Sequence, residues 1–247
     1  MKEHTHTIEP IGILHSPFTQ KFGIPRQPGL IKSAHATIEL YAPYNHPDTV
    51  RGLDDFSHIW VSFQFHASET KWKPLVRPPR LGGNKKVGVF ASRSPFRPNG
   101  MGLSLVELIG ISFENKKLTL TIECPDILDG TPIYDIKPYI RYADSIPHAR
   151  SGFADAPPEK KFKILFSNES VTALTSLKKD YGETLEQLII ETLEYDPRPP
   201  YKDKEDSSTY GMYLYDLNIL WRIFGNEIEV VSIQRLSTNG HKSSKNN

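Results

Sequence analysis

Apolar and polar residues alternate in short runs along the first 140 residues, which predicts β-strands rather than helices. The segments HATIELYAP (35–43) and NKKLTLTIEC (115–124) alternate most regularly, and the aromatic and β-branched run at 56–66 predicts a buried strand. Further strands are predicted in IEPIGILHSP (8–17), KKVGVFAS (85–92), LSLVELIGISFEN (103–115) and PIYDI (132–136). The chain is therefore expected to be mainly β, with a closed or nearly closed six- to seven-stranded β-barrel, because closure removes exposed strand edges.

A change of pattern after residue 145 predicts a second, smaller α+β domain. The segment FKILFS (162–167) predicts a strand, two amphipathic helices follow, and the segment at 209–236 predicts two strands joined near Gly225. The expected organisation is a β-barrel domain at 1–145, a linker rich in alanine, proline and charge at 146–160, the α+β domain at 161–236 and a disordered tail at 237–247.

Both helices of the smaller domain are expected to bury one face. Ser167 or Asn168 can cap the first helix and Gly182 ends it, while Pro197 stops the second. The apolar positions at helical spacing are Val171, Leu174 and Leu177 in the first helix and Leu185, Leu188, Ile189 and Leu193 in the second.

Cysteine content and hydropathy exclude several classes of protein. Cys124 is the single cysteine, which excludes an intrachain disulfide and a thiolate metal cluster, and its place at a strand end predicts a packing role. No apolar run approaches the roughly 20 residues of a membrane span. The first ten residues, MKEHTHTIEP, lack the apolar core of a secretory signal, so a cytoplasmic location without membrane contact is predicted.

Charge is distributed unevenly although the net charge is only +1. The segment at 71–106, called here the basic segment, carries eight basic residues and no acidic residue in a chain that has 29 aspartates and glutamates. Such a stretch favours a surface that faces phosphates or another polyanion over a merely solvated face. Its cations are Lys71, Lys73, Arg77, Arg80, Lys85, Lys86, Arg93 and Arg97.

Four polar segments between the predicted strands are the candidates for chemistry, because no common nucleotide, zinc or serine-hydrolase signature is present. They are GIPRQPG (23–29), QFHASE (64–69), ASRSPFRPNGMG (91–102) and DILDGTPIYDIKPY (126–139). Each alone is explained by turn chemistry. Together they predict a loop-built site at one end of the barrel that holds a nucleoside-like small molecule, its ribose on a carboxylate, without a metal or a covalent nucleophile.

At these segments the chain resembles the TsaA-like (TrmO-type), S-adenosylmethionine-dependent tRNA N6-methyltransferases, which act on N6-threonylcarbamoyl-adenosine beside the anticodon. The resemblance implies a small closed β-barrel, a homodimer, and a methyl donor, S-adenosyl-L-methionine, bound at loops near the subunit contact. The stretches that carry it are IGILHSPF, GIPRQPGL, RGLDDFSHIWVSFQFH, RPPRLGG, VGVFASRSPFRPN, GLSLVEL and DILDGTPIYDIKPY, followed by DPRPPY and YDLNILWRI in the smaller domain.

The resemblance also implies the residues that contact the methyl donor. After Asn99 this chain has Gly100 and Met101, where the family pattern has proline and an aliphatic residue, which leaves the backbone freer there. The implied contacts are Arg26, Gln27, Pro28, His66, Ala67, Arg93, Leu103, Leu128, Asp129, Gly130 and Thr131.

Four residues are candidates for catalytic roles in such a transfer. Asp129 or Asp135 is expected to accept the proton of N6 or to position the base, and the residues alone do not decide between them. Arg97 or Lys137 is expected to hold the carboxylate of the threonylcarbamoyl group, since an anionic modification requires a cation. The basic segment is expected to dock phosphates of the anticodon stem-loop of tRNA.

Two other functions fit parts of the same sequence. A non-catalytic β-barrel module that binds RNA or a small nucleotide would also have a basic segment and no nucleophile. A phosphate-ester hydrolase would need metal-ligating or nucleophilic residues that the pattern does not supply.

Overall fold

A computed structural model describes residues 6–68, 71–123, 125–198 and 208–236. The predicted roles of Cys124 and of the tail at 237–247 lie outside these residues. The strands are β1 (Gly12–His15), β2 (His35–Leu40), β3 (His58–Gln64), β4 (Leu75–Val76), β5 (Val87–Gly88), β6 (Met101–Glu114), β7 (Lys117–Glu123), β8 (Thr131–Pro138), β9 (Lys163–Phe166), β10 (Tyr210–Leu214), β11 (Leu217–Phe224) and β12 (Glu227–Arg235). The α-helices are α1 (Arg141–Asp144), α2 (Asn168–Tyr181) and α3 (Leu185–Glu194).

Six strands close into an antiparallel barrel in the order β1-β2-β7-β6-β3-β8, which confirms the predicted mainly β fold. Every second side chain of a strand points into the barrel, and on β2 these buried side chains are Ala36, Ile38 and Leu40. β6 and β7 are joined by a tight turn at Asn115 and Lys116, both with positive φ. The barrel core is therefore formed by the residues that the period-two pattern predicts.

The strand predicted at 85–92 is wrong for most of its length. Only β5 pairs there, with β4, and the chain then turns through a 3-10 helix at Val89–Ala91. The barrel is already closed by its six strands, so this segment has no further partner and folds back on itself. The outcome places residues 71–100 of the basic segment, which carry all of its cations, outside the barrel strands, while 101–106 form the start of β6.

The smaller domain is a four-stranded sheet in the order β10-β11-β12-β9, with β9 parallel to β12. The segment at 209–236 forms three strands rather than the predicted two, because the chain reverses at Tyr215 and Asp216, where Tyr215 has a φ of 53°. α2 begins after Ser167, whose side chain accepts a hydrogen bond from the Ser170 amide, and ends at Gly182, as predicted. Val171 is half exposed instead of buried.

The long loop between β1 and β2 buries its apolar side chains mainly in the smaller domain. Phe18, Ile31 and Ala34 are buried in the hydrophobic core that α2, α3 and the four-stranded sheet form. Ser33 fixes the end of the loop, since its amide and hydroxyl both donate to Glu191 Oε2 on α3 at 2.9 Å. The smaller domain thus holds a loop that carries predicted site residues.

The predicted linker contains short ordered turns. α1 lies just before it, and Asp144 accepts hydrogen bonds from Trp60 Nε1 at 3.2 Å and from the Ile140 amide at 2.8 Å. A single 3-10 turn follows at Gly152–Ala154. None of the helices in the described ranges has the length and hydropathy that a membrane crossing demands.

Candidate functional site

A cavity of about 210 Å³ opens at the end of the barrel where β3 ends and β8 begins. Phe63 and Phe65 provide aromatic surface, with their rings edge to face at 5.2 Å between centroids. The lining residues come from four separate parts of the sequence: Lys21, Ile24, Phe63, Gln64, Phe65, His66, Ala67, Ser68, Pro95, Asp126, Ile127, Leu128 and Thr131. The structure therefore brings His66, Ala67, Leu128 and Thr131 together, as the sequence predicts.

The turn before β8 is fixed by backbone hydrogen bonds to the strand and loop at β1. The Asp129 amide donates to the Phe18 carbonyl at 2.8 Å and the Gly130 amide to the Leu14 carbonyl at 2.9 Å. Gly130 has a φ of 73°, which disfavours any residue with a Cβ atom. The Asp129 carboxylate accepts from the Ser16 amide at 3.0 Å, so Asp129 and Gly130 form a rigid turn between Leu128 and Thr131, which line the cavity, whereas the two turn residues do not.

His66 and Thr131 form the polar contact at the rim of the cavity. Thr131 is buried, and its hydroxyl donates to the Leu128 carbonyl at 2.7 Å while it lies 3.2 Å from His66 Nδ1. Burial lowers the pKa of the His66 imidazole, although the nearby carboxylate of Asp129 acts in the opposite direction. His66 is therefore neutral at pH 7.

Asp126 lines the cavity, although it is absent from the residues that the resemblance implies. Its carboxylate accepts a hydrogen bond from Ser104 Oγ at 2.5 Å. Burial raises the pKa of the Asp126 carboxyl, against the hydrogen bond from Ser104 and the field of Arg93. One sequence signal points to this pair, because Ser104 occupies an inward position of β6 that alternation reserves for apolar residues.

The loops that carry Gln27 and Arg93 meet, since the Arg93 guanidinium donates to the side-chain oxygen of Gln27. Ile24, from the same loop as Gln27, lines the cavity. Arg26 instead lines a small groove beside the smaller domain together with Asp196. Burial lowers the pKa of the Arg26 guanidinium. Pro28, the remaining predicted contact in this loop, lines neither space.

Arg97 lies in the loop that contributes Pro95 to the cavity wall. Its guanidinium donates to the Ser92 carbonyl at 2.8 Å and stacks on Phe90, with 6.0 Å to the ring centroid. Phe90 is 77% exposed, which makes this cation–aromatic pair a feature of the surface.

Leu103, Asp135 and Lys137 lie on the outer wall of the barrel and do not line the cavity of their own chain. Leu103 on β6 and Asp135 on β8 both pair with Ser62 of β3, and Lys137 pairs with Trp60. Lys137 also forms an ion pair with Asp135. Sequence proximity to the cavity residues does not reveal this separation, because successive strand residues face opposite sides of the wall.

Several lining residues are not among the predicted contacts. Ile24 and Phe65 lie within the quoted segments, whereas Lys21 and Phe63 lie just outside them. The two phenylalanines fall in the run that predicts a buried strand, so the pattern indicates a core role for them. The described residues contain no group of three histidine, cysteine, aspartate or glutamate side chains that could hold a metal ion.

The basic segment, wholly within the described residues, is exposed along most of its length. Seven of its eight cationic residues are exposed, and Arg97 is half-buried. Lys73 lies 4.3 Å from the ring centroid of Phe96, and Trp72 is 54% exposed. Cations interleaved with exposed aromatic rings are typical of nucleic-acid surfaces.

Comparison with known proteins assigns both domains to one family. The model of the tRNA-methyltransferase O N-terminal domain matches residues 13–145, and that of the TrmO C-terminal domain matches residues 159–236. The chain is 46% identical over 228 residues to the tRNA (adenine(37)-N6)-methyltransferase of Escherichia coli (strain K12), covering 92% of this chain and 97% of that protein.

A sequence and a crystal structure from Pseudomonas aeruginosa extend the comparison. A putative S-adenosylmethionine-dependent methyltransferase named RcsF is 44% identical over 218 residues, which covers 88% of this chain and 92% of its own. The crystal structure of TrmO from Pseudomonas aeruginosa has a TM-score of 0.78 at 35% identity and covers 94% of this chain and 99% of that one. The present chain belongs to the TrmO family.

Proposed function

We propose that the protein transfers a methyl group from S-adenosyl-L-methionine to N6 of adenosine 37 in tRNA, where that adenosine carries the threonylcarbamoyl group. The observation that carries the proposal is the convergence of four separate polar segments on one barrel-end cavity, in a chain whose full-length relatives are tRNA methyltransferases. A tRNA substrate also agrees with the cytoplasmic location that the sequence predicts.

The cavity fits the methyl donor in its chemistry. The walls at Ile24 and Phe63 are apolar and suit the methylene groups and the adenine of the donor, while the Asp126 carboxyl offers an acceptor for a hydroxyl or ammonium group. The rigid turn at Asp129 and Gly130 fixes the positions of Leu128 and Thr131 on either side of it, and both of these line the cavity. Gln27 and Arg93 hold two of the surrounding loops together.

Orientation is the main task of these residues. The bound donor supplies a methyl group on a sulfonium, whose leaving group is a neutral thioether. The side chains around the cavity hold the reacting centres in line and exclude water, which converts an encounter of two molecules into a reaction within one complex. This explains why no covalent nucleophile is needed at the cavity.

Arg97 is the better placed of the two cations proposed to hold the threonylcarbamoyl carboxylate. Its loop also forms the cavity wall at Pro95, and its guanidinium is fixed by Ser92. Lys137 lies on the outer wall and is already paired with Asp135. The phosphates of the anticodon stem-loop then lie along the exposed lysines and arginines of the basic segment.

The protein is further proposed to act as a homodimer that meets through the outer barrel wall around Leu103. Leu103 is 57% exposed and Met101 is 39% exposed. Both lie on β6, which pairs with β3, the strand that carries Trp60. Apolar side chains grouped on a wall favour burial against a partner. A second copy seated there would bring Leu103 to the partner's cavity loops, which accounts for an implied donor contact that faces away from its own cavity.

The assembly is tested by sedimentation of the wild type and of Leu103→Asp, with Ile109→Asp as the matched control. Ile109 is 50% exposed on the same strand, about 20 Å further along at 3.3 Å per residue. We expect a dimer for the wild type and the control, and a monomer for Leu103→Asp. A monomeric wild type at micromolar concentration would refute the dimer.

The reaction is tested by calorimetry with S-adenosylmethionine and by mass spectrometry of nucleosides from tRNA incubated with the enzyme and donor. We expect donor binding and a mass increase of one methyl group on threonylcarbamoyl-adenosine. Binding of tRNA without any donor binding would favour the non-catalytic RNA module instead. Arg97→Ala is expected to lower the rate on this nucleoside, and full activity of that variant would remove Arg97 from its proposed role.

A further inference from the structure

The rim of the cavity presents a histidine whose tautomer is fixed by its neighbours. The Thr131 hydroxyl has one proton, and the 2.7 Å hydrogen bond to the Leu128 carbonyl uses it. At the 3.2 Å contact with His66 Nδ1 the hydroxyl oxygen must therefore accept, so Nδ1 carries the ring proton. In the neutral imidazole this leaves Nε2 with its lone pair available as a base.

The charged groups that face His66 keep it suitable as a base near neutral pH. Asp129, from the turn before β8, favours the protonated form, while Lys21, from the loop after β1, disfavours it. Asp126 lines the same cavity. Burial has the largest effect and lowers the pKa of His66, which leaves the ring unprotonated at pH 7.

The carboxylates that compete for the role of base are less well placed. Asp135 lies on the outer wall and is paired with Lys137. The Asp129 carboxylate accepts a hydrogen bond from the Ser16 amide and thereby fixes the turn before β8. Asp126 belongs to the cavity wall that the donor would contact. His66 also borders the cavity but is exposed to solvent. The nucleobase of an RNA must enter from that exposed side.

We propose that His66 Nε2 accepts the proton of N6 during methyl transfer, and that Thr131 positions the ring for this step. The inference rests on the proposed function. The N6–methyl bond forms as the methyl–sulfur bond breaks, the electron pair of that bond stays on sulfur, and the N6 proton passes to Nε2. A base oriented by a second group in this way is the usual arrangement for proton abstraction.

The tautomer can be tested without donor or tRNA, by nitrogen-15 NMR of the histidine rings. We expect wild-type His66 to carry its proton on Nδ1, and Thr131→Ser to preserve this tautomer because serine keeps the hydroxyl. Thr131→Val removes the acceptor and is expected to give a mixture of tautomers. A wild-type ring with its proton on Nε2 would overturn the proposal.

The proton transfer is tested with His66→Asn and His66→Gln in single-turnover assays. Asparagine keeps a donor near the place of Nδ1 and removes the base, so we expect a rate loss of about 10²- to 10⁴-fold. The assays are run at saturating donor and tRNA, because His66 also lines the cavity and its replacement can weaken donor binding. His46→Asn, at an exposed turn, serves as the control for histidine replacement.

The pH profile separates this role from a structural one. The wild-type rate is expected to fall as the pH drops through a pKa below 6.5, because protonation removes the base, and His66→Asn should lack that acidic limb. Loss of the limb in Asp126→Asn alone, or a rate loss matched by loss of donor affinity, would refute His66 as the base. A wild type that binds no donor would instead refute the proposed function.

Discussion

A single methyl group at position 102 is enough to disturb the cavity, because Gly102 lies directly against the ring of Phe63. A Cβ atom there would come within 2.3 Å of that ring. Gly102→Ala is therefore expected to destabilise the protein by about 1–3 kcal/mol through overpacking and to displace Phe63 from the cavity wall. Urea unfolding followed by circular dichroism measures the stability, and calorimetry with the donor measures the cavity.

Gly110 on the same strand provides the matched control for this prediction. A Cβ atom at Gly110 would have no neighbour within 4 Å, and its φ is not positive. Gly110→Ala should therefore keep the wild-type unfolding midpoint or raise it slightly. Equal midpoints for the two alanine variants would show that Phe63 moves aside without cost.

The contact between Gln27 and Arg93 makes a second prediction at this scale. Gln27→Ala and Arg93→Ala are each expected to weaken donor binding about tenfold, the scale of one charge-assisted hydrogen bond, with little effect on stability because Arg93 is exposed. The double variant should lose less than the sum of the two, since either change alone releases both loops. Calorimetry of the four proteins measures the coupling, and strict additivity would show that the loops act independently.

Individual site residues were predictable from the sequence only where a motif marked them. His66, Leu128 and Thr131 lie in quoted segments, and the structure places all three on the cavity. Asp126 lies in such a segment too, yet it contacts Ser104 of β6, which is 22 residues away in sequence. Local pattern cannot report a pairing of that kind, because it depends on the register of the barrel.

At the scale of elements, the loop between β1 and β2 depends on Glu191 of α3. Burial alone would raise the pKa of this carboxyl, but the hydrogen bonds from Ser33 and Gln187 lower it below its ordinary value of 4.5. A lowered pKa means that the carboxylate stabilises the fold above pH 4.5 and that this contribution is lost as the pH falls through the folded-state value.

Glu191→Gln is accordingly expected to lower stability by about 1 kcal/mol at pH 7, since the charged acceptor of two Ser33 hydrogen bonds is lost. The difference from the wild type should shrink as the pH is lowered from 4.5 through the lower folded-state pKa, because the wild-type carboxyl also becomes neutral there. Urea titrations at pH 7 and at pH 4 measure both values. A difference that grows on acidification would contradict the role given to Glu191.

The sequence of this loop does not predict which domain it packs against. Its prolines and glycines indicate an irregular connection, which is correct. Phe18 and Ile31, however, are buried against strands and helices that lie more than 130 residues later in the sequence. The number of strands in the smaller domain was wrong for a similar reason. The turn at Tyr215 and Asp216 has neither glycine nor proline, so Asp216 is the only turn-favouring residue of the pair and marks the reversal weakly.

At the scale of the whole molecule, the closed barrel supplies rigidity and the segments outside it supply recognition. Six paired strands fix the positions of the turns at one end, while the smaller domain holds the loop that completes the cavity wall at Lys21 and Ile24. The part of the basic segment that carries its cations, 71–97, lies outside the barrel strands, and seven of the eight cations are exposed. Positive charge is thereby concentrated beside the cavity in a protein whose net charge is only +1.

This concentration of charge makes tRNA affinity strongly dependent on salt. Each phosphate contact contributes a slope of about 0.7 to 0.9 in a plot of log affinity against log salt, because counterions are released on binding. Lys85→Ala/Lys86→Ala removes two exposed cations and should lower the slope by about 1.4 to 1.8. Lys178→Ala/Lys179→Ala on α2 of the smaller domain removes the same charge and should leave the slope unchanged. Filter binding at several salt concentrations decides the matter, since equal losses in both variants would mean that net charge alone, and not the basic segment, attracts the RNA.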